Sequence, residues 1–203
     1  MTNGPKVHIV DDDDAIRRAL TMLARSAGRE ALAFESAEAL LEALTPGSCG
    51  CIVADVRMPG MSGLELQAAL TARGVDLPVI VITGHGDVPM AVRALKQGAA
   101  DFIEKPFDDD AFLGSIATAM TAHEARTDER GARADIANRI SQLTHREREV
   151  MRLVVDGHSN QMAAKALNIS VRTVENHRAR VMDKMGARGL SELVRMVMKL
   201  EEA

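Results

Sequence analysis

The sequence predicts an α/β part followed by a small all-α part, and three observations carry that expectation. Over residues 1–123, five short apolar runs alternate with segments of helical spacing. Four of those runs end in carboxylates, a hydroxyl or an ammonium. From residue 143 onward only helical spacing is visible. Strands and helices alternating at this length imply a doubly wound, five-stranded parallel sheet with helices on both faces.

Val7-His8-Ile9-Val10 predicts the first strand, over 7–10, and delivers Asp11, Asp12, Asp13 and Asp14 to its C-terminal end. Asp13 and Asp14 are expected to open a helix over 14–27, where acids suit the positive end of the helix dipole. Gly28 should end it. A strand over 30–34 and a helix over 37–44 follow. Cys51-Ile52-Val53-Ala54 is nearly all apolar, as a central parallel strand buried on both faces must be, and it leads into Asp55. Ser62-Gly63-Leu64-Glu65 has capping-box spacing and predicts a helix over 63–72, with Gly74 beyond its end. Val79-Ile80-Val81-Ile82 predicts the fourth strand and ends in Thr83. Asp87 precedes an apolar-periodic stretch, so a helix is expected over 87–97, stopped by Gly98. A strand over 101–104 ends in Glu104-Lys105-Pro106, and a helix over 108–122 closes the α/β part.

Residues 124–142 are polar, Ala-rich and free of Pro, with Ile136, Ile140 and Leu143 at helical spacing. They predict a linker that is at least partly helical, weakest at Gly131, with a flexible tether as the alternative. Thr144-His145-Arg146-Glu147 is a second capping box. It opens a helix that carries Val150, Leu153 and Val154 on one face and ends at Gly157. Ser159 caps a short helix through Leu167, Asn168-Ile169-Ser170 forms a tight turn, and a long helix runs from Val171 to Met185. A last helix covers 191–200. Two helices joined by a three-residue turn, the second rich in Arg, read as helix-turn-helix. The expected domains are therefore 1–123, a linker at 124–142, and 143–203.

The chain has 203 residues, 46% of them hydrophobic, which allows one ordinary domain and a small one. With four Phe, no Tyr and no Trp, base stacking on single-stranded nucleic acid is disfavoured. Cys49 and Cys51 are too few for a structural zinc and read as reduced thiols. No apolar stretch has the length of a membrane span and no signal region opens the chain, so a cytoplasmic location is expected, without membrane partners. The net charge of −4 conceals a contrast: residues 1–123 carry −7 and residues 143–203 carry +3. Opposite signs suit two parts with different partners.

Asp55 is the pivotal residue of the acidic part. Open α/β sheets place ligands outside the carboxyl ends of their strands, where Asp11, Asp12, Asp55, Thr83 and Lys105 are expected together. Carboxylates gathered there repel one another unless a cation intervenes, and oxygen-only ligands select Mg²⁺. Asp12 and Asp55 are assigned as direct ligands with Asp11 close by. Asp55 retains an oxygen that can attack a phosphoryl group, while Mg²⁺ and Lys105 offset its charge and the Thr83 hydroxyl donates to it.

These residues resemble the receiver domain of two-component response regulators, a flavodoxin-like fold. The resemblance rests on Asp11-Asp12, Asp55 before Met58-Pro59-Gly60-Met61-Ser62-Gly63, Thr83-Gly84 and Lys105-Pro106, and spans about residues 6–122. The stretch 82–107 is similar to the FixJ branch. The resemblance implies that Asp55 is the phospho-acceptor, that the backbone carbonyl of Arg57 completes the Mg²⁺ ligands, and that Thr83 and Phe102 form a switch pair. Phe102 stands where many receivers have Tyr, so the switch rests on ring packing. A cis Lys105–Pro106 peptide is also implied.

In the basic part, Thr173, Glu175, Asn176 and Ala179 lie near the start of the second helix of the helix-turn-helix, where they can meet base edges. Lys165, Arg172, Arg178, Arg180 and Lys184 are assigned to phosphates. Residues 143–196 resemble the output domain of LuxR/NarL-type regulators, chiefly through Leu143-Thr144-x-Arg146-Glu147-x-Glu149-Val150 and Thr173-Val174-Glu175-Asn176-His177-Arg178.

The two resemblances imply a transcription regulator of the NarL/FixJ kind rather than an enzyme. They imply that a sensor histidine kinase would phosphorylate Asp55, that the protein would then become a homodimer, and that the dimer would bind paired half-sites on double-stranded DNA; RNA polymerase is a candidate further partner. The competing reading is a phospho-dependent protein-interaction regulator that binds no DNA. Salt-dependent binding to duplex DNA separates them.

Overall fold

The computed structural model describes residues 4–84 and 88–201. The chain divides into two compact units, Met1–Ala125 and Arg126–Ala203. In the first, β1 (Lys6–Val10), β2 (Glu30–Phe34), β3 (Gly50–Asp55), β4 (Val79–Thr83) and β5 (Asp101–Glu104) form one parallel sheet of order β2-β1-β3-β4-β5. The helices alternating with them are α1 (Asp14–Ser26), α2 (Ala37–Ala43), α3 (Gly63–Ala72), α4 (Val88–Lys96) and α5 (Asp109–Ser141). Asp87, the expected start of α4, lies outside the described residues.

The two-residue period of the strands sorts their side chains into two cores. Val7, Ile9, Cys51, Val53, Ile80 and Ile82 face α1 and α5, where Leu20, Ala24, Phe112 and Ile116 meet them. Val10, Ile52, Ala54, Val79 and Val81 face the other way, toward Leu40 of α2, Leu66 and Leu70 of α3 and Ala94 of α4. Every residue of β3 is buried, as its central place in the sheet requires. Asp13 caps α1, accepting from the amides of Ala15 and Ile16, and Ser62 and Glu65 form the capping box of α3.

The second unit holds α6 (His145–Val155), α7 (Asn160–Leu167), α8 (Val171–Met185) and α9 (Leu190–Glu201). Thr144 and Glu147 make the capping box of α6, while Ser159 and Ser170 cap α7 and α8. Asn168 ends α7 in the left-handed region, φ 53°, and so turns the chain into α8 within three residues. Val150, Val154, Ala163, Val174, Val181, Met185 and Leu193 make the core.

Residues 124–141 are helical throughout, Gly131 included, as part of α5. Ile136 is buried in the core of the second unit and Ile140 packs against it. Arg139 Nη1 donates to the Met185 carbonyl at 2.7 Å, giving a partner to an otherwise open carbonyl at the end of α8. The packed core of the helical unit thus reaches back beyond residue 143.

Candidate functional site

The sheet order reverses its direction of growth between β1 and β3, which opens a crevice at their carboxyl ends. Register pairs Val10 with Ala54, so Asp11 and Asp55 stand side by side at that crevice. Asp11 is 1% exposed and Asp55 7%. Lys105 follows Glu104, the register partner of Thr83, and its backbone N–H donates to the Thr83 carbonyl at 2.7 Å. Its ammonium donates to Asp11 Oδ2 at 2.7 Å and to Asp55 Oδ1 at 2.8 Å. The Lys105–Pro106 peptide is cis.

The other carboxylate oxygens are held by backbone. Asp11 Oδ1 accepts from the Asp13 N–H at 2.9 Å, and Asp55 Oδ2 accepts from the Arg57 N–H at 2.6 Å. Burial of Lys105 opposes its charge and is the largest single influence. Hydrogen bonds and charge from Asp11 and Asp55 together outweigh it, so its pKa lies above the ordinary lysine value.

Gly63 brings α3 against the back of the site, its N–H donating to the Val56 carbonyl at 3.2 Å. A Cβ there would fall 2.3 Å from the Asp55 carbonyl oxygen, so the small residue of the Ser62-Gly63 cap is a steric requirement.

Of the expected ligands Asp12, Asp55 and Asp11, the structure brings two onto one ammonium and leaves the third at the surface. Asp11 and Asp55 converge on Lys105, whereas Asp12 is exposed. The bond from the Asp13 amide to Asp11 turns the chain so that the intervening residue faces outward. Among the described residues no three His, Cys, Asp or Glu side chains converge as a metal centre. The donor chemistry nevertheless fits a hard divalent cation: three carboxylates against one ammonium leave a formal charge of −2, and every donor is oxygen. Thr83 is fully buried at the end of β4, and Phe102 is half-buried, packed against the core facing α4.

On the second unit Arg172, Glu175, Asn176, Ala179 and Arg180 are exposed along α8, and Lys165 is exposed on α7. Thr173 is half-buried, its hydroxyl 2.7 Å from that of Ser170 in the helix cap. Arg178 is half-buried and donates to Asn160 Oδ1 at 3.2 Å. Lys184 departs from the assignment made for it. Its ammonium donates to Glu147 Oε2 at 2.7 Å and to the Gln142 carbonyl at 3.3 Å. Glu147 is 2% exposed, and a buried carboxylate demands a counter-charge more strongly than a solvated phosphate does. The Lys184 hydrogen bond and the Thr144 amide hold the Glu147 carboxyl down at about 2. Spacing along α8 could not reveal this pair, whose members are 37 residues apart.

Residues 7–117 match the response regulator receiver domain, and residues 141–197 match the bacterial regulatory proteins of the luxR family. The chain is 50% identical over 192 residues to the transcriptional regulatory protein FixJ of Azorhizobium caulinodans, spanning 95% of this chain and 91% of that one. Among solved structures it is similar to the response regulator StyR, with a TM-score of 0.87 at 42% identity, covering 96% of this chain and 98% of that one. Full-length FixJ from B. japonicum matches with a TM-score of 0.62 at 44% identity, each chain covered over 100% of its length. A carboxylate–lysine crevice on a doubly wound sheet, joined to a LuxR-type helix-turn-helix, defines a two-component response regulator. More particularly, the chain belongs to the NarL/FixJ family of transcription regulators, on the FixJ branch.

Proposed function

We propose that this protein accepts a phosphoryl group on Asp55 from a sensor histidine kinase and, once phosphorylated, dimerises and binds promoter DNA. The observation that carries the proposal is the pairing of Asp11 and Asp55 on the Lys105 ammonium at the sheet's switch point. An Asp55 carboxylate oxygen attacks phosphorus, the P–N bond to the kinase imidazole breaks, and an acyl phosphate forms while the electron pair leaves with the imidazole. Lys105, already held in the crevice, meets the charge of the transferring group, and the Thr83 hydroxyl donates to it. Asp11, Asp12, Asp55 and the Arg57 carbonyl would hold Mg²⁺, which supplies neutralisation of phosphoryl charge when bound.

The acyl phosphate adds about −1.5 to −2 of charge. Movement of Thr83 toward it vacates space for Phe102, and the change reaches α4 and β5. Val88, Val92 and Leu95 of α4 are exposed at helical spacing, an apolar stripe suited to a second phosphorylated copy. On DNA, Asn176, Glu175 and Ala179 of α8 read base edges while Arg172, Arg178, Arg180 and Lys165 hold phosphates. The proposed domains are a receiver over 1–123 and a DNA-binding unit whose core begins within the last turns of α5.

Incubation with acetyl phosphate and Mg²⁺ tests the proposal. The parent protein should acquire acid-labile phosphate, sediment as a dimer and bind duplex DNA more tightly. Asp55→Asn should do none of these while keeping its melting temperature. Stoichiometric acid-labile phosphate on Asp55→Asn would show that another residue is the acceptor.

A further inference from the structure

Arg178 is set apart from its basic neighbours on α8. Arg172 and Arg180 are exposed, whereas Arg178 is half-buried and its guanidinium is already held in the free protein. Nη1 donates to Oδ1 of Asn160, the first residue of α7 and 18 residues earlier in the chain. A guanidinium can only donate, so the Asn160 amide must turn its oxygen toward Arg178 and its NH₂ away. The remaining N–H groups of Arg178 meet no acceptor, and no carboxylate pairs with it, among the described residues. An arginine left free loses rotamer freedom when it grips a phosphate, and one already held loses less.

We infer that Asn160 is a positioning residue for DNA binding, holding Arg178 in the orientation in which its open N–H groups meet a DNA phosphate. The inference rests on the proposed DNA-binding role and adds to it a residue on the first helix of the helix-turn-helix. Asn160 acts through Arg178, so its effect must vanish when Arg178 is absent.

Full-length protein and a short random-sequence duplex provide the test, with affinity read by fluorescence anisotropy between about 50 and 200 mM salt. Asn160→Ala should weaken binding about three- to tenfold at every salt concentration, the loss expected for one side chain no longer held in advance. The salt slope should stay parallel to the parent's, whereas Arg178→Ala should lower it by about one unit. In the Arg178→Ala background, Asn160→Ala should add nothing. Thermal melting of Asn160→Ala should match the parent, and nitrogen relaxation should show the Arg178 guanidinium restricted in the free parent protein.

Unchanged affinity in Asn160→Ala would overturn the inference, as would a loss that persists without Arg178 or a freely moving guanidinium in the parent. Absence of salt-dependent duplex binding by the parent would instead sink the DNA-binding proposal itself.

Discussion

Deleting residues 126–142 from the helical unit should remove much of its stability, even though those residues precede the capping box that opens α6. Ile136 is 6% exposed within that unit's core, and its burial contributes about 2–3 kcal/mol. Ile140, half-buried against the same core, adds about 1 kcal/mol. The Arg139 bond to the Met185 carbonyl adds about 1 kcal/mol, because part of that side chain is exposed and solvent competes for it. The 78-residue fragment 126–203 has about 4–12 kcal/mol of stability to begin with. The deletion therefore removes about 4–5 kcal/mol, between roughly a third and all of it, a fall in melting temperature of about 15–40 °C. Thermal unfolding of fragments 126–203 and 143–203, followed by far-ultraviolet circular dichroism, reads this directly. Ile136→Ala in the longer fragment should reproduce much of the loss, about 2–5 kcal/mol. Two fragments melting within a few degrees of each other would refute the argument that α5 completes this core.

Glu147 links stability of the same unit to pH. Its carboxyl is held at about 2 by Lys184 and the Thr144 cap, against an unfolded value of 4.5, so its contribution is complete above pH 4.5 and disappears as pH falls through about 2. With Lys184 partly exposed, we expect about 1–2 kcal/mol. Glu147→Gln should be less stable than the parent at neutral pH and should lose less than the parent between pH 4.5 and 2, as urea titrations would show. Asp12→Ala should weaken Mg²⁺ binding about tenfold or more by titration calorimetry while leaving the melting temperature unchanged, because Asp12 is exposed. Unaltered Mg²⁺ affinity would remove Asp12 from the site. Val92→Asp should abolish the phosphorylation-induced dimer in sedimentation without reducing acid-labile phosphate; a dimer that persists would direct attention to a surface other than α4.

Much of the architecture is legible along the chain because it depends on short-range rules. Strand periodicity places Val7 and Ile9 on one face and Val10 on the other, and the structure keeps that division. The Ser62 and Thr144 caps announce α3 and α6, since a capping box is closed by residues three apart. The same logic places Asp11, Asp55, Thr83 and Lys105 at strand ends, and parallel strands necessarily bring their carboxyl ends to one edge.

What the tertiary structure alone decided is how each charged group is used. Lys105 could have been a surface charge, but strand register sets it between two carboxylates 94 and 50 residues away. Asp11 and Asp12 are identical neighbours in sequence, and only the turn at Asp13 buries one and exposes the other. Lys184 looks like its basic neighbours on α8 until Glu147, buried beneath it, claims the ammonium. Arg139 looks like linker until the end of α8 presents it with a carbonyl. Local spacing determines which face of a helix or strand a side chain occupies. The partner it finds there depends on which distant segment the fold packs against that face, and on the large penalty for burying a charge alone.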